Sequence, residues 1–568
     1  MQKLFHFLKP YTRYLILGPF FKLLEAIFEL IVPVVMARII DTGIGERNTG
    51  FIWRMSLLIV VLGLCGLGFA LTCQYFAAKC AFSYGADLRS ALFRHINTLS
   101  RTELDQLGSS TLINRITNDV TASQQGVNMA IRLGTRAPFL VIGAIVMTLV
   151  IDWQLSLVFL IIAPILGFVL YAVLTRTIPM YTRNQQKLDG IARHTGESLD
   201  GVRVIRAFSK QQQETEQFAA ECADLEKSMI AAGRISVLLN PATFLIMNLG
   251  IAAVLWFGAG EVDTGRLTQG DLTAFTNYMT QILLAGVQLA NLIQILTKAQ
   301  ASSLRVAEVL ETQSTMQGGD VQPGDSSEAI RFEHVSFTYA GAGSPALEDI
   351  SFTLQKGQTL GIIGGTGSGK STLAQLIMRG YDATEGTVSV FGQDVRSYDL
   401  AALNRVIGYV PQKALLFTGT IEENLRWADE NAPQERIRTA LEIAQASEFV
   451  DKLQYGTQTR LVQGGRNLSG GQKQRLTIAR ALCAAPQMLI LDDSMSALDY
   501  ATDAALRREL HSRCGSMTKV IIAQRATSLH DADLILVMED SRCVGLGRHE
   551  DLMKTCEVYR EIYTSQNS

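Results

Sequence analysis

The sequence predicts a two-part fold: an all-α membrane domain of six spanning helices, followed by an α/β domain. Three observations carry this. Long apolar runs crowd the first half of the 568-residue chain. Two long links between those runs are rich in Arg and Lys. From Ile330 onward, short β-rich and helical segments alternate, as in an ordinary water-soluble domain. The whole-chain figures, 48% hydrophobic, 18% charged and a net charge of -2, average over these unlike halves and say little about partners. No long basic tract points to nucleic acid. The cysteines (Cys65, Cys73, Cys80, Cys222, Cys483, Cys514, Cys543 and Cys556) form no CxxC pair and no Cys/His cluster at metal spacing. They read as reduced thiols.

The membrane elements follow in order. Met1–Tyr14 carries Lys3, Lys9 and Arg13 beside Leu4, Phe5, Phe7 and Leu8, an amphipathic segment suited to the inner membrane surface. The apolar run behind it is too long for a signal peptide and no small-residue cleavage site follows Met36, so it predicts an uncleaved first span. A crossing helix needs ~20 mostly apolar residues. Leu15–Ile39, Trp53–Phe76, Ile131–Ile151, Leu155–Leu174, Val237–Phe257 and Leu272–Leu296 qualify. The first holds Lys22, Glu25 and Glu29 on one face, placed to pair with each other or to meet a cationic or polar substrate. The sixth holds Thr276, Asn277, Gln281, Gln288, Asn291 and Gln294, so it should face other helices or a wet cavity. Asn248 is a further lining candidate.

Orientation follows from the basic residues. Arg89, Arg94, Arg101 and Arg115 lie between spans two and three; Arg176, Arg183, Lys187, Arg193, Arg203, Arg206 and Lys210 lie between spans four and five. Both links, and both chain ends, are therefore expected on the cytoplasmic side. Gly85–His95 and Gln185–Phe208 have helical periodicity. Spans two to five should thus continue as long cytoplasmic helix extensions, turning near Ser100–Gly108 and Gly196–Arg203. The last span runs on through Lys298–Glu311. Residues 1–311 form the expected membrane domain, 312–329 a Gln/Gly/Ser-rich linker, and 330–568 the α/β domain.

In that domain the strongest signal is Gly364-Gly365-Thr366-Gly367-Ser368-Gly369-Lys370-Ser371-Thr372, between an apolar strand (Thr359–Ile363) and a helix (Leu373–Met378). This is a phosphate-binding loop in its proper context. Glycines let backbone N–H groups close on phosphates, and the helix N-terminus adds a favourable dipole. Lys370 would reach the β/γ-phosphates and Ser371 a Mg²⁺ ion. Met488-Leu489-Ile490-Leu491-Asp492-Asp493 is an apolar strand ending in carboxylates, suited to holding Mg²⁺ and a water.

A third string, Leu468-Ser469-Gly470-Gly471-Gln472, makes the set resemble ABC transporters, in which it is the signature motif. The resemblance covers the whole chain and is to the exporter type of half-transporter, with a P-loop NTPase domain of ABC type. It implies ATP and Mg²⁺ as ligands, and two nucleotide domains packed head to tail. Each ATP would lie between one subunit's phosphate loop and the other's signature, here Ser469, Gly470, Gly471 and Gln472. The resemblance further implies that Tyr339 stacks on adenine. Gln412, in Tyr409-Val410-Pro411-Gln412, would join Ser371 and Asp492 at Mg²⁺. Asp499, in Ser496-Ala497-Leu498-Asp499, would link the two sites, and the two cytoplasmic turns would be coupling helices resting on the nucleotide domains.

Two positions depart from that family's pattern. The general base after the Mg²⁺ aspartate is usually Glu; here it is Asp493, one methylene shorter. A ~1 Å misplacement can cost about a hundredfold in rate. The switch position, usually His, is Gln524 in Ile522-Ala523-Gln524-Arg525. An amide can donate a hydrogen bond but cannot relay a proton. These departures predict a weakly hydrolytic ATP site in this chain. A different partner subunit would carry the competent residues, in a heterodimeric multidrug exporter of the cell (inner) membrane moving drug-like amphiphiles. The alternatives are a homodimeric exporter of lipid or peptide, and an ATP-gated channel that does not pump.

Overall fold

The computed structural model describes residues 2–316 and 318–567. Met1, Gln317 and Ser568, and the side chains of Gln2, Lys3 and Asn567, lie outside the described residues. The chain divides into two compact units. One comprises Met1–Asn97 and Ser110–Glu311; the other comprises Thr98–Ser109 and Thr312–Ser568.

The first unit is helical. Its long helices are α1 (Thr12–Arg38), α2 (Thr49–Ile96), α4 (Ser109–Ile151), α5 (Leu157–Asp200), α7 (Gln211–Asp263) and α8 (Gln269–Glu311). Two short helices fill the links: α3 (Arg101–Leu107) and α6 (Val202–Ala207). At 1.5 Å per residue the 48 residues of α2 reach about 72 Å, more than twice the ~30 Å hydrocarbon core. α2, α4, α5, α7 and α8 are long and apolar enough to cross a membrane by length and composition alone. α1 is interrupted by its three charges, which the structure neutralises. Lys22 Nζ meets Glu25 Oε2 at 2.6 Å, and Arg136 Nη2, from α4, meets Glu29 Oε2 at 2.8 Å.

Tyr278, Gln281 and Gln288 of α8 bond across to other helices, as burial in an apolar medium requires. Pro33 has no N–H to give to the Glu29 carbonyl. The Gln281 amide reaches that carbonyl from α8 at 3.5 Å, and the buried Tyr278 hydroxyl donates to the Leu30 carbonyl at 2.6 Å. Gln288 Oε1 accepts from Arg136 Nη1 at 3.0 Å. Asn277 and Asn248 instead donate to carbonyls of their own helices, Thr273 and Phe244. Further along, Tyr84 of α2, Ser123 of α4 and Ser303 of α8 form a buried hydroxyl chain at 2.9 and 2.8 Å. Arg305 Nε holds the buried Asp119 at 2.9 Å.

The second turn falls within the expected Gly196–Arg203 window, toward its end. α5 runs through Gly196 to Asp200, and the break comes at Gly201. One helical glycine costs only about 1 kcal/mol, too little to end a helix flanked by Ala192, Arg193, Glu197 and Leu199.

The second unit is α/β with an antiparallel part at its start. β1 (Glu328–Phe337), β2 (Leu347–Gln355), β4 (Glu385–Val390) and β5 (Gln393–Asp394) pair in the order β2-β1-β4-β5. β3 (Thr359–Gly364), β6 (Ile407–Val410), β9 (Met488–Asp492), β10 (Thr518–Ile522), β11 (Leu534–Glu539) and β12 (Arg542–Gly547) form the main sheet, ordered β12-β11-β3-β10-β9-β6. All its pairings are parallel except β11 with β12, and β7 (Gly419–Thr420) and β8 (Arg460–Leu461) form a separate antiparallel pair. The inner strands β3, β9 and β10 are buried along nearly their whole length, the continuous apolar run of a sheet covered on both faces.

The Gln/Gly/Ser-rich stretch before β1 is extended chain pinned to this unit. Gly319 N–H donates to the Tyr398 carbonyl at 2.9 Å, and a Cβ there would sit 1.9 Å from the Ser397 carbonyl. α3 also belongs to this unit. Ser100 and Glu103 close a capping box at its N-terminus. Tyr381 donates to Asp105 at 2.5 Å, Arg101 bonds Gln375, and Thr315 Oγ1 donates to Glu103 at 2.8 Å.

Candidate nucleotide-binding site

The site sits beyond the carboxyl ends of β3, β9 and β10, where ligands bind in open α/β sheets. β3 ends at Gly364, whose added Cβ would lie 2.0 Å from the Met538 carbonyl, so the loop must start on glycine. Gly369 (φ 93°) caps the helix Lys370–Ile377 in a left-handed conformation, with an added Cβ 2.3 Å from the Ala346 carbonyl. Between these two, the loop wraps one wall of a cavity of about 610 Å³.

That cavity gathers Tyr339, Gly364, Gly365, Thr366, Gly367, Gly369, Lys370, Ser371, Thr372, Gln412, Asp492, Asp493 and Gln524. Ser368 lies behind the loop, buried, its Oγ accepting from Lys370 Nζ at 3.4 Å. Lys370 Nζ also donates to the Gly364 carbonyl at 3.0 Å. Burial lowers the Lys370 pKa, against the pull of Asp493 and Asp492. Tyr339 bonds Thr372 through its hydroxyl at 3.0 Å, and its ring stands edge-on to Tyr381 at 5.3 Å.

Asp492 is held from two sides. Ser371 Oγ donates to Oδ1 at 2.8 Å, and the Tyr409 hydroxyl donates to Oδ2 at 3.2 Å. Burial raises the Asp492 pKa, and neighbouring Asp493 adds to the rise, outweighing the bonds from Ser371 and Tyr409. Asp493 sits in a left-handed conformation (φ 45°) and is buried. One oxygen, Oδ2, accepts from both Gln412 Nε2 at 2.9 Å and Gln524 Nε2 at 2.7 Å. The two residues that depart from the family pattern are therefore bonded to each other.

The donor set fits Mg-ATP. Ser371 and Asp492 bring hard oxygen donors together, with the Gln412 side chain in the same cavity, and Mg²⁺ takes its remaining ligands from phosphates and water. Among the described residues there is no cluster of three or more His, Cys, Asp or Glu placed to hold a metal.

Ser469, Gly470, Gly471 and Gln472 do not line this cavity. Ser469 caps the helix Gly470–Cys483 in a box with Gln472: Gln472 N–H donates to Ser469 Oγ at 3.3 Å and Ser469 N–H to Gln472 Oε1 at 2.9 Å. Asp499 likewise caps Tyr500–Arg513 through the Thr502 N–H at 2.9 Å.

Sequence reasoning missed several groups. Tyr409 was visible only as a neighbour of Gln412. Ile562, Ser565 and Gln566 reach the cavity from the helix Glu557–Asn567 and follow no motif. Arg136 opens an apolar span. It joins Glu25, Glu29, Phe28, Gly63 and Gly66 around a second cavity of about 370 Å³ in the membrane unit.

This architecture, a bundle of spanning helices joined to a phosphate-loop ATPase domain, defines an ATP-driven membrane transporter. Comparison with known proteins agrees. Residues 15–285 match the ABC transporter transmembrane region family and residues 347–496 the ABC transporter family. The ABC transporter ATP-binding protein YfiB of Bacillus subtilis is 37% identical, covering 100% of this chain and 98% of its own. The probable multidrug resistance ABC transporter ATP-binding/permease protein YheI, also of Bacillus subtilis, is 31% identical over 100% and 97%. The ATP-dependent lipid A-core flippase of Yersinia pestis is 29% identical over 100% and 97%. A bacterial Atm1-family ABC exporter solved with ATP bound shares the fold, with TM-score 0.83 and 22% identity over 98% of both chains. The chain belongs to the ABC transporter family. It is a half-transporter of the exporter type, a multi-pass membrane protein whose ATPase domain is coupled to transport.

Proposed function

We propose that this chain is one subunit of a heterodimeric exporter and supplies its weakly hydrolytic ATP site. The observation that carries this is the pair of hydrogen bonds that Gln412 and Gln524 donate to Asp493 Oδ2. The two amide N–H donors pin one oxygen of a carboxylate that is already a methylene shorter than the family's Glu. Gln524 adds a donor and no proton acceptor of imidazole strength.

In this reading residues 1–311 are the membrane domain, 312–329 the linker and 330–568 the nucleotide domain, with that domain and both chain ends cytoplasmic. Tyr339 carries the base. The N–H groups of 364–369 and Lys370 hold the phosphates, with Ser371 and Thr372 at the mouth of the helix. Ser371, Asp492 and Gln412 would hold Mg²⁺, which would supply positive charge to offset that of the phosphates. Gln524 offers its N–H to the γ-phosphate. Ser469, Gly470, Gly471 and Gln472 serve the partner's ATP, since they stand outside this chain's own cavity. Closure of the two nucleotide domains on ATP is passed to the long helices through α3 and α6.

Drug-like amphiphiles are the favoured cargo, supported by the likeness to a probable multidrug resistance transporter. A lipid is the second reading, supported by the likeness to a lipid A-core flippase. Glu25 and Glu29 are already engaged by Lys22 and Arg136, which favours a structural role for both carboxylates.

The test is the ATPase rate of the chain alone and with its partner subunit, each with and without Asp493→Glu plus Gln524→His. The chain alone should be nearly inactive, the pair active, and the double change should add turnover. A lone chain hydrolysing as fast as the pair would leave a homodimeric pump.

A further inference from the structure

After β10 the chain runs Ala523-Gln524-Arg525 into a short 3-10 helix, Ala526–Leu529. The helix Glu557–Asn567 holds this segment directly at one point and, through His549 of the preceding helix, at a second. At one, the Gln566 side-chain amide makes a two-point bond to the backbone. Its Nε2 donates to the Gln524 carbonyl at 2.7 Å, and its Oε1 accepts from the Ala526 N–H at 2.8 Å. At the other, His549 bonds the hydroxyl of buried Tyr559 at 2.8 Å. The His549 ring lies 4.9 Å from Tyr563 and 4.4 Å from His530, the residue just after the 3-10 helix.

Two backbone groups flanking Arg525 are thus tied to one planar amide, as in a rung of β-sheet. The restraint bears on Gln524, whose own amide donates to Asp493. Arg525 is held separately, its guanidinium 4.4 Å over the Tyr500 ring. Gln566 also borders the nucleotide cavity and the adjoining cavity of about 450 Å³ behind the switch segment, so the tie lies between the two.

We propose that Gln566 is a positioning residue that holds the Gln524 backbone so that its side-chain amide stays aimed into the site, and that this tie sets how well the site distinguishes ATP from ADP. The proposal rests on the reading of Gln524 as the γ-phosphate-facing group. ADP lacks that phosphate, so the tie acts on ATP affinity alone. A side chain that only stabilised the domain would affect both nucleotides.

The experiment photolabels the full-length chain in membranes with azido-ATP in the cold and measures competition by ATP and by ADP. Gln566→Glu keeps the acceptor and loses the donor; Gln566→Ala loses both. Each should weaken ATP about threefold to tenfold, the worth of one ordinary hydrogen bond, and leave ADP unchanged. Gln524→Ala should do the same, and adding Gln566→Ala to it should cost nothing more, because coupled residues are non-additive. An unchanged ATP-to-ADP ratio in both Gln566 variants, equal loss of both nucleotides, or additive losses in the double variant would overturn the proposal. If Gln524→Ala leaves the ratio unchanged, the reading of Gln524 falls and the proposal with it. If Gln524→Ala alone shifts the ratio, only the tie is wrong.

Discussion

Arg136 is the residue on which the charged face of α1 depends. It bonds Glu29 twice through Nη2, at 3.1 and 2.8 Å, and Gln288 at 3.0 Å, while its Nε lies 3.9 Å from Glu25. Breaking a fully buried pair by removing one partner costs about 3–5 kcal/mol. The Arg136 side chain is 18% exposed and that of Glu29 36%, so water relieves part of the stranded charge. Arg136→Met should therefore destabilise by roughly 2 kcal/mol. Glu29→Gln should cost roughly 1 kcal/mol, because an amide oxygen still accepts from the guanidinium. Arg136→Met with Glu29→Met should recover much of the loss, since no unpaired charge remains in the bundle. Unfolding in detergent, followed by tryptophan fluorescence at a fixed scan rate, measures all three. Single variants indistinguishable from the parent, or a double variant losing the sum of the singles, would refute the pairing.

Other outcomes follow from the same geometry. Tyr381→Phe removes the bond to Asp105, worth about 1.5–3 kcal/mol with a charged acceptor. It should reduce transport per ATP while leaving ATP affinity intact, measured as dye uptake into inverted vesicles beside phosphate release. Burial and Asp105 both raise the Tyr381 pKa, so this bond should persist across the working pH range. Gly369→Ala places a Cβ against the Ala346 carbonyl at a positive φ, and should abolish azido-ATP labelling in a protein that still purifies folded. The raised Asp492 pKa means the folded state takes up this proton more readily than the unfolded one. Its contribution to stability is therefore greatest at low pH and falls as pH rises through the window from the ordinary aspartate value to the raised one. Mg²⁺-dependent ATP binding should run the opposite way, failing on acidification sooner than a normal carboxylate would allow. A Mg²⁺-ATP titration across pH would read this, and a midpoint at or below the ordinary aspartate value would contradict it.

The sequence announced most of this architecture because its signals are local. Apolar length, basic links and a glycine loop between strand and helix each need only neighbouring residues. The ties between distant segments were not legible. Nothing near Arg136 says that it crosses to Glu29, 107 positions away, and nothing marks Gln566 as a partner of Gln524. Gln281 and Gln288 were readable as helix-facing, but their specific duties were not: one covers the carbonyl freed by Pro33, the other accepts from Arg136. The turn expected within Gly196–Arg203 is at Gly201, and the helix runs through Gly196 because a lone glycine is a weak stop among strong helix formers. The departures at Asp493 and Gln524 were visible as single letters, whereas their meeting on one carboxylate oxygen was not.

The claim that this chain's own site holds ATP and hydrolyses it poorly is tested most directly by the nucleotide it retains. The full-length protein, assembled with its partner subunit, would be loaded with radiolabelled azido-ATP, allowed to turn over and crosslinked. The subunits would then be separated and the nucleotide on each identified. ATP should persist on this chain while ADP accumulates on the other. ADP appearing on both chains at the same rate would mean that Asp493 and Gln524 support hydrolysis, and the asymmetric account would be wrong.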